Sequence, residues 1–163
     1  MKKIPLTQNE YALVDNDDFE LLKGYRWQCH KEGKSIYAVT GIVKKGKKKT
    51  LRMHRVIMKA KPGQHIDHKD GNGLNNQKNN IRFATPSQNL MNSNPRKNNS
   101  SKYKGVSFRK STKKWEAYIS FYKKRTHLGF FKDEIDAAKA YDAKAKELFG
   151  EFCRLNFPTN KLF

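Results

Sequence analysis

Cysteine is nearly absent from this chain of 163 residues: Cys29 and Cys153 stand far apart, and neither belongs to a Cys-x-x-Cys pair. That spacing supports neither a disulfide framework nor a structural zinc site. Long apolar runs are missing as well. The opening stretch, MKKIPLTQNEYALVDNDD, has basic residues with no apolar segment behind them. It does not read as a secretory leader, and nothing approaches the length of a membrane span. The expected setting is a reducing cytoplasm. Acidic residues are the third scarcity, 15 Asp and Glu against 35 Lys and Arg, for a formal net charge of +20. Such a balance disfavours a neutral or acidic substrate and favours a polyanion, because each cation set near a phosphate releases condensed counterions. Charge alone also leaves open a ribosomal-type or merely soluble basic protein.

The length suits one medium domain or two small ones. Apolar periodicity disappears over residues 94–102, in a stretch rich in Asn, Ser and Lys that reads as a linker. Residues 1–93 and residues 94–163 each carry a net charge of +10, so both parts are expected to touch nucleic acid. In the first part, Ile36 to Ile42 and Thr50 to Met53 flank a basic run with Gly46 at its bend, which predicts a hairpin whose tip is either a solvated turn or a phosphate contact. Short helices are expected over Asp15 to Leu22, with acids in the first turn, and from Met53, packed beneath the stretch that follows. In the second part, Lys102 to Lys132 holds ten cations and one acid, Glu116. Alternation there puts Val106, Phe108, Trp115, Ala117, Ile119, Phe121, Thr126 and Leu128 on one face of three antiparallel strands, and Ser107, Arg109, Glu116, Tyr118, Ser120, Arg125 and His127 on the other. From Asp133 to Gly150 the pattern turns helical, with Ile135, Ala138, Tyr141, Ala145 and Leu148 as the apolar stripe meant to cover the first face.

The chemistry concentrates in Gln64 to Asn92, QHIDHKDGNGLNNQKNNIRFATPSQNLMN. Thr85, Pro86 and Gln88 form a helix start of the Thr-x-x-Gln capping-box type, which sets Asn89 in the first turn. Phosphodiester cleavage needs a base for the attacking water and a cation for the charge on phosphate and leaving oxygen. His68 is the candidate base. Asp67 and Asn89 are oxygen donors suited to Mg²⁺ (or Mn²⁺), an ion completed by waters and by substrate phosphate. Neighbours on a regular strand face opposite ways, so Asp67 and His68 serve one phosphate only if the strand bends or ends there. Asn80 is placed to hydrogen-bond the backbone of the Gly/Asn-rich loop. His54, amid apolar residues, reads as a satisfied core residue.

LRMHRVIM, IDHKDGN, NNIRFAT and SQN, within residues 51–92, resemble the HNH endonuclease family, in particular its phage and intron homing branch. The resemblance implies an α+β chain with a ββα-metal nuclease fold that cuts or nicks double-stranded DNA with one divalent ion. It makes His68 the general base, Asp67 a metal ligand, Asn80 the Asn that orients the loop at the catalytic centre, and Asn89 a metal ligand where many members carry His. YKGVSFRKSTKKWEAYIS, HLGFF, DEIDAAKAYDAKAKELFG and LNFP, over Tyr103 to Pro158, resemble the Apetala-two/ethylene-response-factor DNA-binding domain. This implies a three-stranded antiparallel sheet laid in the major groove with one helix behind. Arg109 and Arg125 match DNA-contacting arginines; Ser107, Ser120 and His127 stand where plant members carry Arg or Trp, and Tyr118 stands in place of a Glu. The organisation expected is a nuclease domain over 1–93, a linker, a targeting domain over 103–158 and a tail over 159–163. The expected protein is a monomeric site-specific endonuclease, acting in the host cytoplasm or nucleoid if phage-encoded. Its alternative is a DNA-binding regulator whose HNH part no longer cuts.

Overall fold

The computed structural model describes residues 1–33, 35–44, 46–95 and 99–158. Lys34, Lys45 of the basic run, the middle of the expected linker and the expected tail therefore lie outside the described residues. Two compact units emerge, Met1–Pro86 and Ser87–Phe163, both mixing helices with strands. No described helix is long and apolar enough to cross a membrane.

In the first unit, β1 (Lys2–Pro5) pairs antiparallel with β2 (Tyr11–Val14), and the alternating burial of β2 sends Ala12 and Val14 into the core. Helix α1 (Asn16–Leu22) follows, with Asp17 and Asp18 in its first turn, where negative charge complements the helix dipole. Asp15 takes the extended N-cap conformation, yet its carboxylate makes no cap bond. It accepts instead from Gln77 Nε2 (3.2 Å) and from the Lys78 N–H (2.8 Å). Strands β3 (Gln28–Glu32), β4 (Ser35–Lys44) and β5 (Lys47–Arg52) form a three-stranded antiparallel sheet in that order. The β4–β5 hairpin closes on the pair Lys44 and Lys47, and Gly46 supplies the positive φ that the bend demands.

Helix α2 (Met53–Ile57) leaves β5 directly and buries Met53, His54 and Ile57. Met53 and Ile57 join Ile4, Ala12, Val14, Leu22, Trp27, Ala38, Leu74 and Ile81 in one apolar cluster. The Trp27 indole N–H is satisfied by the Leu22 carbonyl at 2.9 Å. Strands β6 (His65–His68) and β7 (Ile81–Ala84) make a two-stranded antiparallel ribbon, and α3 (Pro86–Met91) begins just beyond it. The division between units falls inside α3, so Asn89 counts with the second unit.

The loop joining β6 to β7 is tied to β2: the Leu13 N–H donates to the Leu74 carbonyl and the Asn76 N–H to the Leu13 carbonyl, each at 2.8 Å. Leu74 is buried as the anchor. Gly73 is required by close approach, since a Cβ there would run into the Ile36 carbonyl oxygen and the Tyr37 ring.

In the second unit, β8 (Val106–Arg109), β9 (Lys114–Phe121) and β10 (Lys124–Phe131) form an antiparallel sheet with β9 in the centre. Helix α4 (Glu134–Phe149) starts where the Asp133 carboxylate accepts from the Ile135 N–H at 2.6 Å, and it stops at Gly150, whose φ is 52°. The buried ridge of α4 is Ala137, Tyr141, Ala145 and Phe149, flanked by Ala138 and Asp142. Ile135, expected on that stripe, is 44% exposed. The packed row follows strict four-residue steps from Ala137, which rotates Ile135 off the contact line. Thr126, expected on the covered face, is exposed: the register of β10 shifts between His127 and Gly129, and only Leu128 and Phe131 beyond the shift pack inward. Ala117, Ala137 and Ala138 let sheet and helix approach closely, and Gly105 with φ 73° makes room for the Tyr141 ring.

Candidate active site

Asp67 and His68 close strand β6, facing Arg82 and Ile81 of β7. The strand ends at His68, where the Gly71 N–H donates back to the His68 carbonyl at 2.8 Å and Gly71 takes a φ of 75°. Arg82 donates through Nε (2.9 Å) and Nη2 (2.7 Å) to Asp67 Oδ2, with the Arg82 and Asp67 side chains only 11% and 9% exposed. A nearly buried carboxylate is thus held by a nearly buried guanidinium.

His68 Nε2 lies 3.3 Å from Asn76 Oδ1. The Asn76 amide is oriented by its own Nδ2, which donates to the Leu74 carbonyl (3.2 Å), so Oδ1 is the acceptor facing His68. In the tautomer with the proton on Nε2, His68 donates to Asn76 and Nδ1 is the basic nitrogen. Burial lowers the His68 pKa below the ordinary histidine value, opposed by the Asn76 bond and by the Asp70 and Asp67 charges. The ring is neutral at pH 7, as a base must be.

His54 packs edge-on against His68, ring centroids 5.1 Å apart, and Tyr37 lies 5.6 Å from His54 and 6.1 Å from His68. His54 is buried, in agreement with its reading as a core residue, and what it packs is the imidazole itself. Burial, then the charges of His68, Arg52 and Arg55, lower the His54 pKa to about 3.

Asn80 sits at the far end of the loop and bonds it three ways. Its Oδ1 accepts from the Asp70 N–H (3.1 Å), and its Nδ2 donates to Asp70 Oδ1 (3.0 Å) and to the Asn75 carbonyl (2.8 Å). Asp70 in turn accepts from the Asn72 N–H and from Asn75 Nδ2, each at 2.8 Å. With Asp15 holding Gln77 and Lys78, the loop is pinned along its length. Asn89 belongs to the second unit, on α3; its Oδ1 is buried and has no hydrogen-bond partner.

The polar face of the second unit's sheet gathers around Glu116. This buried carboxylate lies 3.1 Å from Arg109 Nη2, 3.3 Å from His127 Nδ1 and 4.0 Å from Arg125 Nη2. The Arg125 guanidinium stacks over Tyr118 at 3.7 Å, and Arg125 pairs in register with the exposed Ser120. Sequence reasoning assigned no role to Arg82, Asn76, Tyr37 or Glu116. Arg82 was findable, since pairing Ile66-Asp67-His68 against Ile81-Arg82-Phe83 as a ribbon sets opposite charges across from each other. Asn76 and Tyr37 act through tertiary approach and leave no local signal.

No family model matches the chain. Over 153 residues, 90% of its length, it is 34% identical to an uncharacterized HNH endonuclease of Acanthamoeba polyphaga mimivirus and covers 74% of that protein. The chain belongs to the HNH endonuclease family. It is also 34% identical over 92 residues to protein 3.8 of Escherichia phage T7, covering 75% of that protein. To the DNA endonuclease I-HmuI of Bacillus phage SP01 it is 30% identical over 96 residues, spanning 55% of that protein. The solved structure of the HNH homing endonuclease I-HmuI aligns with a TM-score of 0.37 at 30% identity, covering 56% of this chain and 57% of that one.

HNH nucleases generally work with a divalent metal. In the first unit, the nearly buried Asp67 carboxylate is an oxygen donor of the kind a hard divalent ion accepts. Among the described residues, no three His, Cys, Asp or Glu side chains gather into a nest.

Proposed function

We propose that this HNH protein is a DNA endonuclease that hydrolyses a phosphodiester with one Mg²⁺ or Mn²⁺ ion. In this reading residues 1–93 form the ββα-metal nuclease domain, and residues 103–158 form an Apetala-two/ethylene-response-factor-like targeting domain. The observation that carries it is His68: neutral, ended on by its strand, and fixed through Nε2 by Asn76 beside the Asp67 carboxylate.

His68 takes the proton of the attacking water at Nδ1 while Nε2–H stays on Asn76. The imidazolium that forms is favoured by the Asp70 and Asp67 charges. Asp67, oriented by Arg82, and Asn89 are the residues that would hold the ion, which would supply neutralisation of charge on the phosphate and the leaving oxygen. Asn80 is a positioning residue that keeps the loop shut under the site. On the targeting sheet, Arg109, Tyr118, Ser120, Arg125 and His127 enter the major groove of double-stranded DNA, where Arg recognises guanine edges. Glu116 holds the two arginines and His127 against free rotation. One proposed site per chain favours a nick by a monomer over a cut of both strands by a dimer. The setting proposed is a host cytoplasm or nucleoid, since two relatives are proteins of phages.

Replacing His68 by Gly tests the base. Plasmid nicking by His68→Gly should fall about 10²- to 10⁴-fold, the usual contribution of such a group. Added imidazole should restore part of it in a dose-dependent way. A variant that cuts at the wild-type rate without imidazole removes His68 from the reaction.

A further inference from the structure

Lys104, a half-buried lysine of the second unit, takes no part in the proposed chemistry. Helix α3 is six residues long, and its last carbonyls have no partner within the helix. Lys104 Nζ lies 3.0 Å from the Leu90 carbonyl, 2.5 Å from that of Met91 and 2.9 Å from that of Ser93. One cation thus caps three carbonyls at the end where the helix dipole is negative.

The backbone of Lys104 is held just as firmly. Its N–H donates to Asn156 Oδ1 (2.7 Å) and its carbonyl accepts from Asn156 Nδ2 (3.1 Å). The N–H groups of Asn156 and Phe157 donate to the buried Asp142 carboxylate of α4, each at 2.8 Å. Met91 adds an apolar hold by packing against the cluster of Ile119, Tyr141, Ala145 and Phe149. Burial lowers the Lys104 pKa to about 8, which leaves the ammonium charged at neutral pH. All of these contacts lie within the second unit, the unit that carries the DNA-facing sheet.

We propose that Lys104 is a positioning residue for Asn89: its ammonium fixes the C-terminus of α3 to the sheet-and-helix unit, so the ion-ligand helix moves with the surface that grips DNA. The inference rests on Asn89 being an ion ligand. A lysine in a basic stretch ordinarily serves phosphate, and a residue bound to three carbonyls is instead spent on the protein's own backbone.

The test uses the full chain with Lys104→Met, which keeps the stem and removes the charge, and Lys104→Arg, which keeps the donors. Three quantities are read: the nicking rate on supercoiled plasmid at saturating protein, the Kd for a mixed-sequence duplex by fluorescence anisotropy, and metal-free amide exchange at Asn92 and Ser93. Those two amides donate to the Gln88 and Leu90 carbonyls at the end of α3. For Lys104→Met the rate should fall about tenfold to a hundredfold, as for other losses of positioning. The Kd should stay within about twofold, and the two amides should exchange faster. Lys104→Arg should recover most of the rate. A rate unchanged in Lys104→Met, unchanged exchange, or a weakened Kd accounting for the whole loss overturns the inference while leaving the nuclease reading in place. A wild type that cuts nothing overturns the nuclease reading first, and this one with it.

Discussion

At the scale of single residues, two buried imidazoles packed edge to edge set the acid limit of the first unit. His54 and His68 are both neutral when folded, and both must take up a proton when the chain unfolds below the ordinary histidine value. A histidine whose folded pKa is depressed contributes stability that is complete above the unfolded value of about 6.5 and is lost as pH falls toward the folded one. For His54 that window runs from about 6.5 down to about 3. The urea midpoint should therefore drop steadily between pH 7 and pH 4.5, and His54→Gln should flatten that drop. Equal slopes for wild type and variant would show that His54 takes no part in it. The role of His54 was only half legible in the sequence. Its apolar neighbours marked it as core, but nothing local said that the core in question was the face of His68. Arg82 differs, because strand register alone sets it opposite Asp67. The same alternation that found the sheet of the second unit set Glu116 on its polar face, yet a lone acid among cations gave no hint that Arg109, Arg125 and His127 would close on it.

At the scale of elements, what makes the β6–β7 loop a rigid part is its docking onto β2 and β4. Gly73 allows the closest of these approaches. Gly73→Ala should push the loop off Ile36 and Tyr37 at a cost of about 1–3 kcal/mol, the usual range for overpacking. Gly41, in the β4 strand with open space around its Cα, is the control. Urea denaturation of Gly73→Ala and Gly41→Ala should show a large loss for the first alone, and similar midpoints for the two would contradict the docking argument. Helix starts and stops were the most legible features, since Asp133 and Gly150 act through local hydrogen bonding and backbone freedom. Asp15 shows the limit of that logic. It stands at the N-cap of α1 as its type suggests, but its carboxylate is taken by residues some sixty positions away. The stripe of α4 was off by part of a turn, because small residues such as Ala137 carry little hydrophobic signal while filling the closest contact with the sheet.

At the scale of the whole molecule, net charge is divided equally between residues 1–93 and residues 94–163, and the alignment with the mimivirus HNH endonuclease covers 90% of the chain. Both units are thus part of what this chain shares with a relative. In the proposed division of labour the first unit presents His68 and Asp67 to a phosphate, and the second offers a sheet whose arginines Arg109 and Arg125 lie beside Glu116. The measurement that bears most directly on the account is conversion of supercoiled plasmid by the purified full-length chain in Mg²⁺ or Mn²⁺, run beside EDTA and beside His68→Ala. We expect the wild type to produce the open-circular form in either metal, EDTA to stop it, and His68→Ala to leave the plasmid supercoiled. Plasmid left intact by the wild type in every divalent ion, or cut equally by His68→Ala, would contradict the account and leave a DNA-binding protein in its place.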